Sequence, residues 1–257
     1  MTPGSEGAST GSEPRSEGPA VSVANVGVQV DVYPVVSHAM AHNRISPVRR
    51  VTLHNRGGLR TGVEVRIVLR DAQGVLSEPF SAHADLEQGA TTSLRDLAVH
   101  LDSTAMNQVE EARPGTLEVS VVHEGEVIGS VVEPVNVLAA RQWLWKPSGL
   151  ALELLAAHVM PNAPEVTELL GDAAGRLGQV TGQSQIDGYQ SGPERVDAIA
   201  RAVYQAVIDW RIRYSEPPAS WADEGQKIRT PADLHGTRLG TCLDTTLLFA
   251  AALEQAG

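Results

Sequence analysis

The chain has 257 residues, of which 42% are hydrophobic, with a formal net charge of -11 and an isoelectric point near 5.2. This length suffices for one large or two ordinary packed domains, and the acidic balance argues against direct nucleic-acid binding, which needs clustered Lys and Arg. The single cysteine, Cys242, excludes an intrachain disulfide, and without a run of about 18 apolar residues no membrane contact is expected, so a cytoplasmic location is the default prediction.

Residues 1–20 are predicted to form a disordered tail. This segment is rich in Gly, Ser, Glu and Pro, so it cannot bury enough apolar surface to order itself. It also lacks the basic start and the hydrophobic run of a secretory signal.

Residues 21–140 alternate apolar and polar side chains with a period of two, which is typical of half-buried strands. Turn-forming residues separate the runs, and the turn at 123–126 lies between two strong runs and predicts a hairpin. About seven short strands at this spacing favour an immunoglobulin-like β-sandwich, although the lack of a cysteine pair excludes an antibody-type domain. The clearest runs are Val28, Val30 and Val32; Val63, Val65, Ile67 and Leu69; and Leu117, Val119 and Val121.

Residues 141–163 are predicted to be a linker between two ordered units. Trp143, Trp145 and Pro147 within it are large apolar residues, so we expect them to dock against one of the neighbouring units.

From residue 164 onward the apolar period changes to 3.6, which predicts amphipathic helices. Asn162 with Glu165, and Ser191 with Glu194, each have the spacing of a capping box and predict two helix starts. A third helix is predicted to open near Thr241, after a loop over residues 215–240.

Cys242 lies in the segment Gly240-Thr241-Cys242-Leu243-Asp244, at the predicted start of the third helix. Unpaired backbone N–H groups and the helix dipole favour an anion there, so a thiolate would be stabilised and its nucleophilicity raised. Gly240 would leave room for a substrate carbonyl. The alternative is that Cys242 is a small buried hydrophobic residue, since free cysteines are often buried.

Residues 160–257 resemble the transglutaminase-like cysteine fold. More closely, they resemble a bacterial family in which this fold precedes helicase-like and nuclease-like regions in very large proteins. The resemblance is carried by these segments: Pro161-Asn162-Ala163-Pro164, Asp187-Gly188-Tyr189-Gln190-Ser191-Gly192, Pro217-Pro218-Ala219-Ser220, Gly225-Gln226-Lys227-Ile228-Arg229 and Gly240-Thr241-Cys242-Leu243-Asp244.

The resemblance implies a catalytic role for Cys242 as the nucleophile. In such enzymes a histidine and then an acid follow on later strands, and the histidine activates the thiol. Gln226 is a candidate donor to the developing oxyanion, with a solvated loop residue as the alternative. Trp221 and Tyr189 are candidates to contact substrate, although for Trp221 a role as a hydrophobic anchor of the long loop is favoured.

Upstream histidines offer weaker candidates. His235 lies seven residues before Cys242 and could reach the thiol, but the order of residues in the family places the base later. His38 and His42, in a predicted loop, could suggest a metal pair, but without a third ligand nearby we expect no metal site. No cofactor is expected either, and the chain contains no phosphate-binding Gly-Lys-Ser/Thr loop of the ATP-binding type.

We therefore expect a β-sandwich (immunoglobulin-like) followed by the helical N-terminal half of an α+β, papain-like, transglutaminase-like domain at 164–257. The chain is interpreted as the N-terminal part of a larger bacterial protein and as inactive by itself. The parent is expected to act on a protein or peptide by cysteine acyl transfer and to contact its own downstream domains. The resemblance implies a setting in nucleic-acid-processing or defence machinery. The alternative is a non-catalytic protein-binding scaffold with a degenerate cysteine domain.

Overall fold

The computed structural model describes residues 25–144 and 150–257. The predicted disordered tail 1–20 and the bridge residues Trp145 and Pro147 lie outside the described residues. The strands in the described ranges are β1 (Val26–Val32), β2 (Val35–Val36), β3 (Val48–Asn55), β4 (Arg60–Asp71), β5 (Gly74–Val75), β6 (Phe80–Leu86), β7 (Thr91–Arg95), β8 (Arg113–His123), β9 (Glu126–Val137), β10 (Gln142–Trp143), β11 (Arg213–Tyr214), β12 (Gln226–Lys227) and β13 (Leu239–Gly240).

Two sheets build the N-terminal region. One has the order β1-β3-β7, and the other has the order β2-β9-β8-β4-β5, with β6 also pairing with β4. Inward side chains of both sheets share one hydrophobic core, in which Leu53, Ile67 and Leu117 are all 0% exposed. The period-two prediction is therefore confirmed for β4 and β8, and for β1, whose Val28, Val30 and Val32 pack partly buried against the same core. The immunoglobulin-like topology stays a prediction.

The predicted hairpin at residues 123–126 is confirmed as the β8–β9 turn. His123 pairs with Glu126, and the two residues between them have positive φ, 52° at Glu124 and 85° at Gly125. Two consecutive positive φ values match the twist of the flanking strands, as in type I′ turns.

Gly129 on β9 lies against the backbone of β1, so a side chain at this position is predicted to destabilise the fold. A Cβ at this position would lie 2.4 Å from the carbonyl oxygen of Val26, so Gly129→Ala must push the two strands apart. We expect it to lower the free energy of unfolding by about 1–3 kcal/mol, measured by urea denaturation. Gly58→Ala is the matched control because nothing lies within 4 Å of its added Cβ; equal midpoints for the two variants would contradict the predicted clash.

The helices in the described ranges lie mainly in the C-terminal region. None of them combines the length and apolar character needed to cross a membrane. They are α1 (His38–His42), α2 (Ser103–Asn107), α3 (Ala151–Leu155), α4 (Pro164–Thr181), α5 (Pro193–Asp209), α6 (Trp221–Glu224), α7 (Pro231–Thr237) and α8 (Cys242–Ala256), with a 3-10 helix at Ala156–His158.

Helices α4, α5 and α8 share a second core, with Leu169, Val203 and Leu248 at its centre. The three predicted helices are present, but two predicted caps are wrong. Ala163, not Asn162, is the N-cap of α4, and Gly192, not Ser191, is the N-cap of α5. In both helices a proline occupies the first turn, where its fixed φ suits a helix start, and no side-chain cap is formed.

The predicted linker 141–163 contains regular secondary structure. It includes β10, α3 and the 3-10 helix. Leu154 packs on the core of the sheets, while Leu155 and Val159 pack on a third, small cluster. Trp143 belongs to that cluster and is 8% exposed, so its predicted docking is confirmed.

The predicted loop 215–240 also contains short elements, α6, β12 and α7. Helix α7 was missed, although its signal is present in the sequence. Thr230 caps the helix and forms a capping box with Asp233, with Pro231 in the first turn.

Candidate functional site

The cysteine lies at the start of α8, as predicted. Thr241 is the N-cap, and its hydroxyl accepts the backbone N–H of Asp244 at 3.2 Å. The carboxylate of Asp244 accepts the backbone N–H of Thr241 at 2.9 Å, which completes the capping box. Cys242, the next residue, is exposed, so its thiol faces solvent on top of a buried cap.

Asp244 is a fully buried carboxylate that supports this helix start. Besides Thr241, it accepts the backbone N–H of Arg229 at 2.9 Å and the Nη1 of Arg229 at 3.0 Å. Its side chain is 0% exposed. Asp244 is thus the acid in the first turn of α8, and its bonds to Arg229 also tie α8 to the segment before α7.

Gln226 lies directly beneath the helix start. Its side-chain amide donates to the hydroxyl of Thr241 at 2.7 Å, and the residue is only 5% exposed. It is held there by β12, which pairs with β10 so that Gln226 lies opposite Trp143. The candidate oxyanion donor is therefore buried and bonded to the residue that precedes the nucleophile, rather than being a solvated loop residue.

The same segments join the two regions of the chain. The amide of Gln142 donates to the carbonyl of Glu224, and the N–H of Ile228 donates to the carbonyl of Arg141 at 2.8 Å. Ion pairs reinforce the junction between Lys227 and Glu111 and between Arg141 and Asp233, the latter at 3.3 Å. These contacts position β12, and through it Gln226, relative to the sheets.

An open groove of about 930 Å³ follows this junction. Its walls come from residues 109–111 and 139–142 of the N-terminal region and from residues 224–229 of the C-terminal region, and it reaches Thr241. The groove thus ends at the residue next to Cys242 and is large enough to receive an extended polar segment.

Of the other two candidate residues, Tyr189 lies far from Cys242. Trp221 begins α6, and its side chain lies outside the described part of the structure. Tyr189 is 76% exposed, and its neighbour Gly188 lies against Gly257 at the end of α8. Cys242 lies at the opposite end of that helix, roughly 20 Å away at 1.5 Å per residue.

The candidate histidines have other surroundings. His235 packs on the ring of Trp210, with centroids 4.8 Å apart, and its Nε2 lies 3.7 Å from Glu168. His38 and His42 lie on α1, not in a loop, with ring centroids 6.3 Å apart. In the part of the chain that the structure describes, no group of three His, Cys, Asp or Glu residues could hold a metal ion.

His158 is a residue that the sequence did not single out. It ends the 3-10 helix and lines two small cavities, of about 40 Å³ and about 10 Å³. Its Nε2 is buried without a hydrogen-bond partner among the described residues. Burial, together with the nearby His38, lowers the pKa of His158 from 6.5 to about 4. No local signal could have found it, because its burial depends on α1 and α8 packing around it.

Comparison with known proteins identifies no family for the chain. No protein-family model matches it, and no curated protein matches it. Similar solved structures include a β-galactosidase from Bacteroides fragilis, with 18% identity and a TM-score of 0.29 over 42% of this chain and 15% of that chain.

Two structures of Bacteroides uniformis β-glucuronidase 2 are also similar. The enzyme bound to cyclophellitol-6-carboxylate aziridine has 11% identity and a TM-score of 0.25, over 46% of this chain and 13% of that chain. A calcium-binding mutant has 13% identity and a TM-score of 0.27, over 90% of this chain and 32% of that chain. The chain thus spans less than a third of these proteins, and its function has to be argued from its own residues.

Proposed function

We propose that Cys242 is the nucleophile of an acyl-transfer reaction, of the protease, amidase or transamidase type, on a protein or peptide. The observation that carries this proposal is an exposed thiol on the first residue of a 15-residue helix whose cap is buried and rigidly bonded. The resemblance to transglutaminase-like proteins supports it; in such proteins a histidine and an acid on later strands act with the cysteine.

The first turn of α8 supplies donors for such chemistry. The N–H of Asp244 is used by Thr241, whereas the N–H groups of Cys242 and Leu243 have no acceptor among the described residues. Backbone N–H groups at a helix start stabilise an oxyanion that forms beside them. In this arrangement Gln226 is a positioning residue that holds Thr241, and the groove is the approach of the substrate.

A second function is favoured by the junction contacts. The segment that carries Gln226 also pairs with β10 and forms the ion pair with Glu111. The Sγ of Cys242 has no hydrogen-bond partner among the described residues. These observations favour a non-catalytic scaffold that holds the N-terminal sheets and the C-terminal helices together. In that case Cys242 is an exposed thiol without enhanced reactivity.

Alkylation by iodoacetamide tests the proposal, since Cys242 is the single thiol. At neutral pH the folded chain is expected to react roughly two- to fivefold faster than the same chain unfolded in guanidinium chloride, the size of a helix N-terminal effect on an exposed anion. Thr241→Val, which removes the cap, should abolish this enhancement. Thr167→Val, an exposed position on α4, is the control. A folded-state rate equal to or below the unfolded rate would favour the scaffold.

A further inference from the structure

The groove that ends at Thr241 is lined by more carboxylates than cations. Of its charged residues, three are basic and five are acidic: Arg141, Lys227 and Arg229 against Glu110, Glu111, Glu216, Glu224 and Asp233. Charges of one sign along a concave surface concentrate their electrostatic potential there. The excess of carboxylates therefore makes the potential in the groove negative, and the net charge of -11 on the whole chain acts in the same direction.

The cations of the groove are already paired with acids. Because each one has a carboxylate partner, the described lining residues leave no free cation for an anionic ligand. The pairs are Lys227 with Glu111, Arg141 with Asp233, and Arg229 with the buried Asp244.

Three of the carboxylates, by contrast, have no cation beside them. Within residues 25–144 and 150–257, the side chains of Glu110, Glu216 and Glu224 form no ion pair, and all three residues are exposed. Glu110 belongs to the N-terminal wall of the groove, whereas Glu216 and Glu224 belong to the C-terminal region. A cation in the groove can therefore meet free carboxylates from both regions of the chain.

A buried side chain adds a neutral acceptor to the same groove. Gln226 is only 5% exposed and lines the groove, and its Nε2 donates to the hydroxyl of Thr241 at 2.7 Å. The Oε1 of Gln226 accepts no hydrogen bond in the part of the chain that the structure describes, and it is not sealed from the groove. The free polar side chains named here are thus all acceptors, so they suit a ligand that donates hydrogen bonds.

We propose that the groove binds a basic peptide segment, whose Lys or Arg side chains contact Glu110, Glu216 and Glu224. Protonated lysine and arginine only donate hydrogen bonds, so they match side chains that only accept them. Ala140 and Pro218 offer apolar surface between the charges, which suits the methylene stems of such side chains.

The size of the groove favours a peptide over a small amine. Its volume of about 930 Å³ lies near the upper end of the range for small-molecule pockets, about 300–1,000 Å³. This inference rests on the proposed function, because it names the class of substrate that the groove would bring to Cys242.

Calorimetric titration of the full chain with a short acetylated and amidated peptide of alternating Lys and Gly tests this inference. We expect saturable binding that weakens as salt is added, because exposed charges are screened. The triple variant Glu110→Gln, Glu216→Gln and Glu224→Gln should bind the peptide about tenfold more weakly, since each exposed contact contributes roughly two- to threefold. Its circular dichroism spectrum should match that of the original chain, because the replaced residues are exposed.

The matched control is the triple variant Glu87→Gln, Glu124→Gln and Glu126→Gln. These three residues are exposed and lie in turns or at the hairpin outside the groove. The control changes the net charge by the same amount, so it should bind the peptide as the original chain does. The inference is overturned by the absence of saturable binding, by equal weakening in the two triple variants, or by spermidine that binds as tightly as the peptide.

The titration does not involve the thiol, so this inference and the proposed function can fail separately. Peptide binding to a chain whose Cys242 shows no enhanced alkylation would support the groove as a peptide site and overturn only the nucleophile. Enhanced alkylation without peptide binding would overturn only the basic peptide as the substrate class.

Discussion

Asp244→Ala is expected to destabilise the chain by about 3 kcal/mol, because removing this buried carboxylate leaves several hydrogen-bond donors without their acceptor. The carboxylate is 0% exposed and bonds to the backbone and side chain of Arg229 and to the backbone of Thr241. Its removal leaves the buried N–H of Thr241 and the partly buried N–H of Arg229 without an acceptor, and the guanidinium of Arg229 without its partner. The start of α8 and the segment before α7 should loosen together.

Thermal unfolding followed by circular dichroism measures this loss, with an expected fall in Tm of roughly 10 °C for a chain of this size. Asp197→Ala is the control, since Asp197 forms an exposed i,i+4 pair with Arg201. Exposed pairs of this kind contribute about 0.3–0.5 kcal/mol. If both variants lose less than about 1 kcal/mol, Asp244 does not support the helix start in the way its contacts indicate.

His158 is expected to make the fold sensitive to acid. Its pKa falls from 6.5 to about 4 in the folded chain, because burial disfavours the charged imidazolium and His38 adds repulsion. The unfolded chain therefore binds a proton at a higher pH than the folded chain does. The contribution of neutral His158 to the free energy of unfolding is fully present above pH 6.5 and is lost as the pH falls towards about 4.

The size of this effect follows from the pKa change, at 1.36 kcal/mol for each unit, and amounts to about 3 kcal/mol. His38 should act in the same direction, since burial and then His42 lower its pKa as well. The charged residues that face His158 across the smaller cavity are Arg229 and Asp244. Because these two are paired with each other, they leave little net charge to stabilise an imidazolium.

Urea denaturation between pH 7 and pH 4 tests this prediction. His158→Phe, which keeps a ring but removes the titrating group, should lose about 3 kcal/mol less stability over this range than the original chain. His123→Gln, at the β8–β9 hairpin, is the control and should follow the original chain. Parallel pH profiles for the original chain and His158→Phe would show that His158 is not the acid-sensitive group.

Local features of this protein could be predicted well from its sequence. The start of α8 depends on Thr241 and Asp244, three residues apart, and the β8–β9 turn depends on Glu124 and Gly125. Both are decided by backbone conformation and hydrogen bonds within one turn of the chain. The alternation along β4 and β8 similarly follows from which side of a strand each residue occupies.

The two misplaced caps have the same local cause. Asn162 and Ser191 each have the spacing of a capping residue, but Pro164 and Pro193 are the first helical residues, so each N-cap lies one residue later, at Ala163 and Gly192. Ser191 instead donates its hydroxyl to Asp187. The capping box of α7 is present in the sequence. The helix was missed because the prolines and glycines of residues 215–240 favoured a loop for the whole segment.

By itself, the sequence determined the alternating strands, the hairpin and the helix that begins at Cys242, because each depends on residues close together in the chain. Only the tertiary structure decided what surrounds them. The pairing of Gln226 with Thr241 spans 15 residues, and the ion pair of Lys227 with Glu111 spans 116. The burial of His158 likewise arises where distant elements pack, and no local period or motif records which elements will meet.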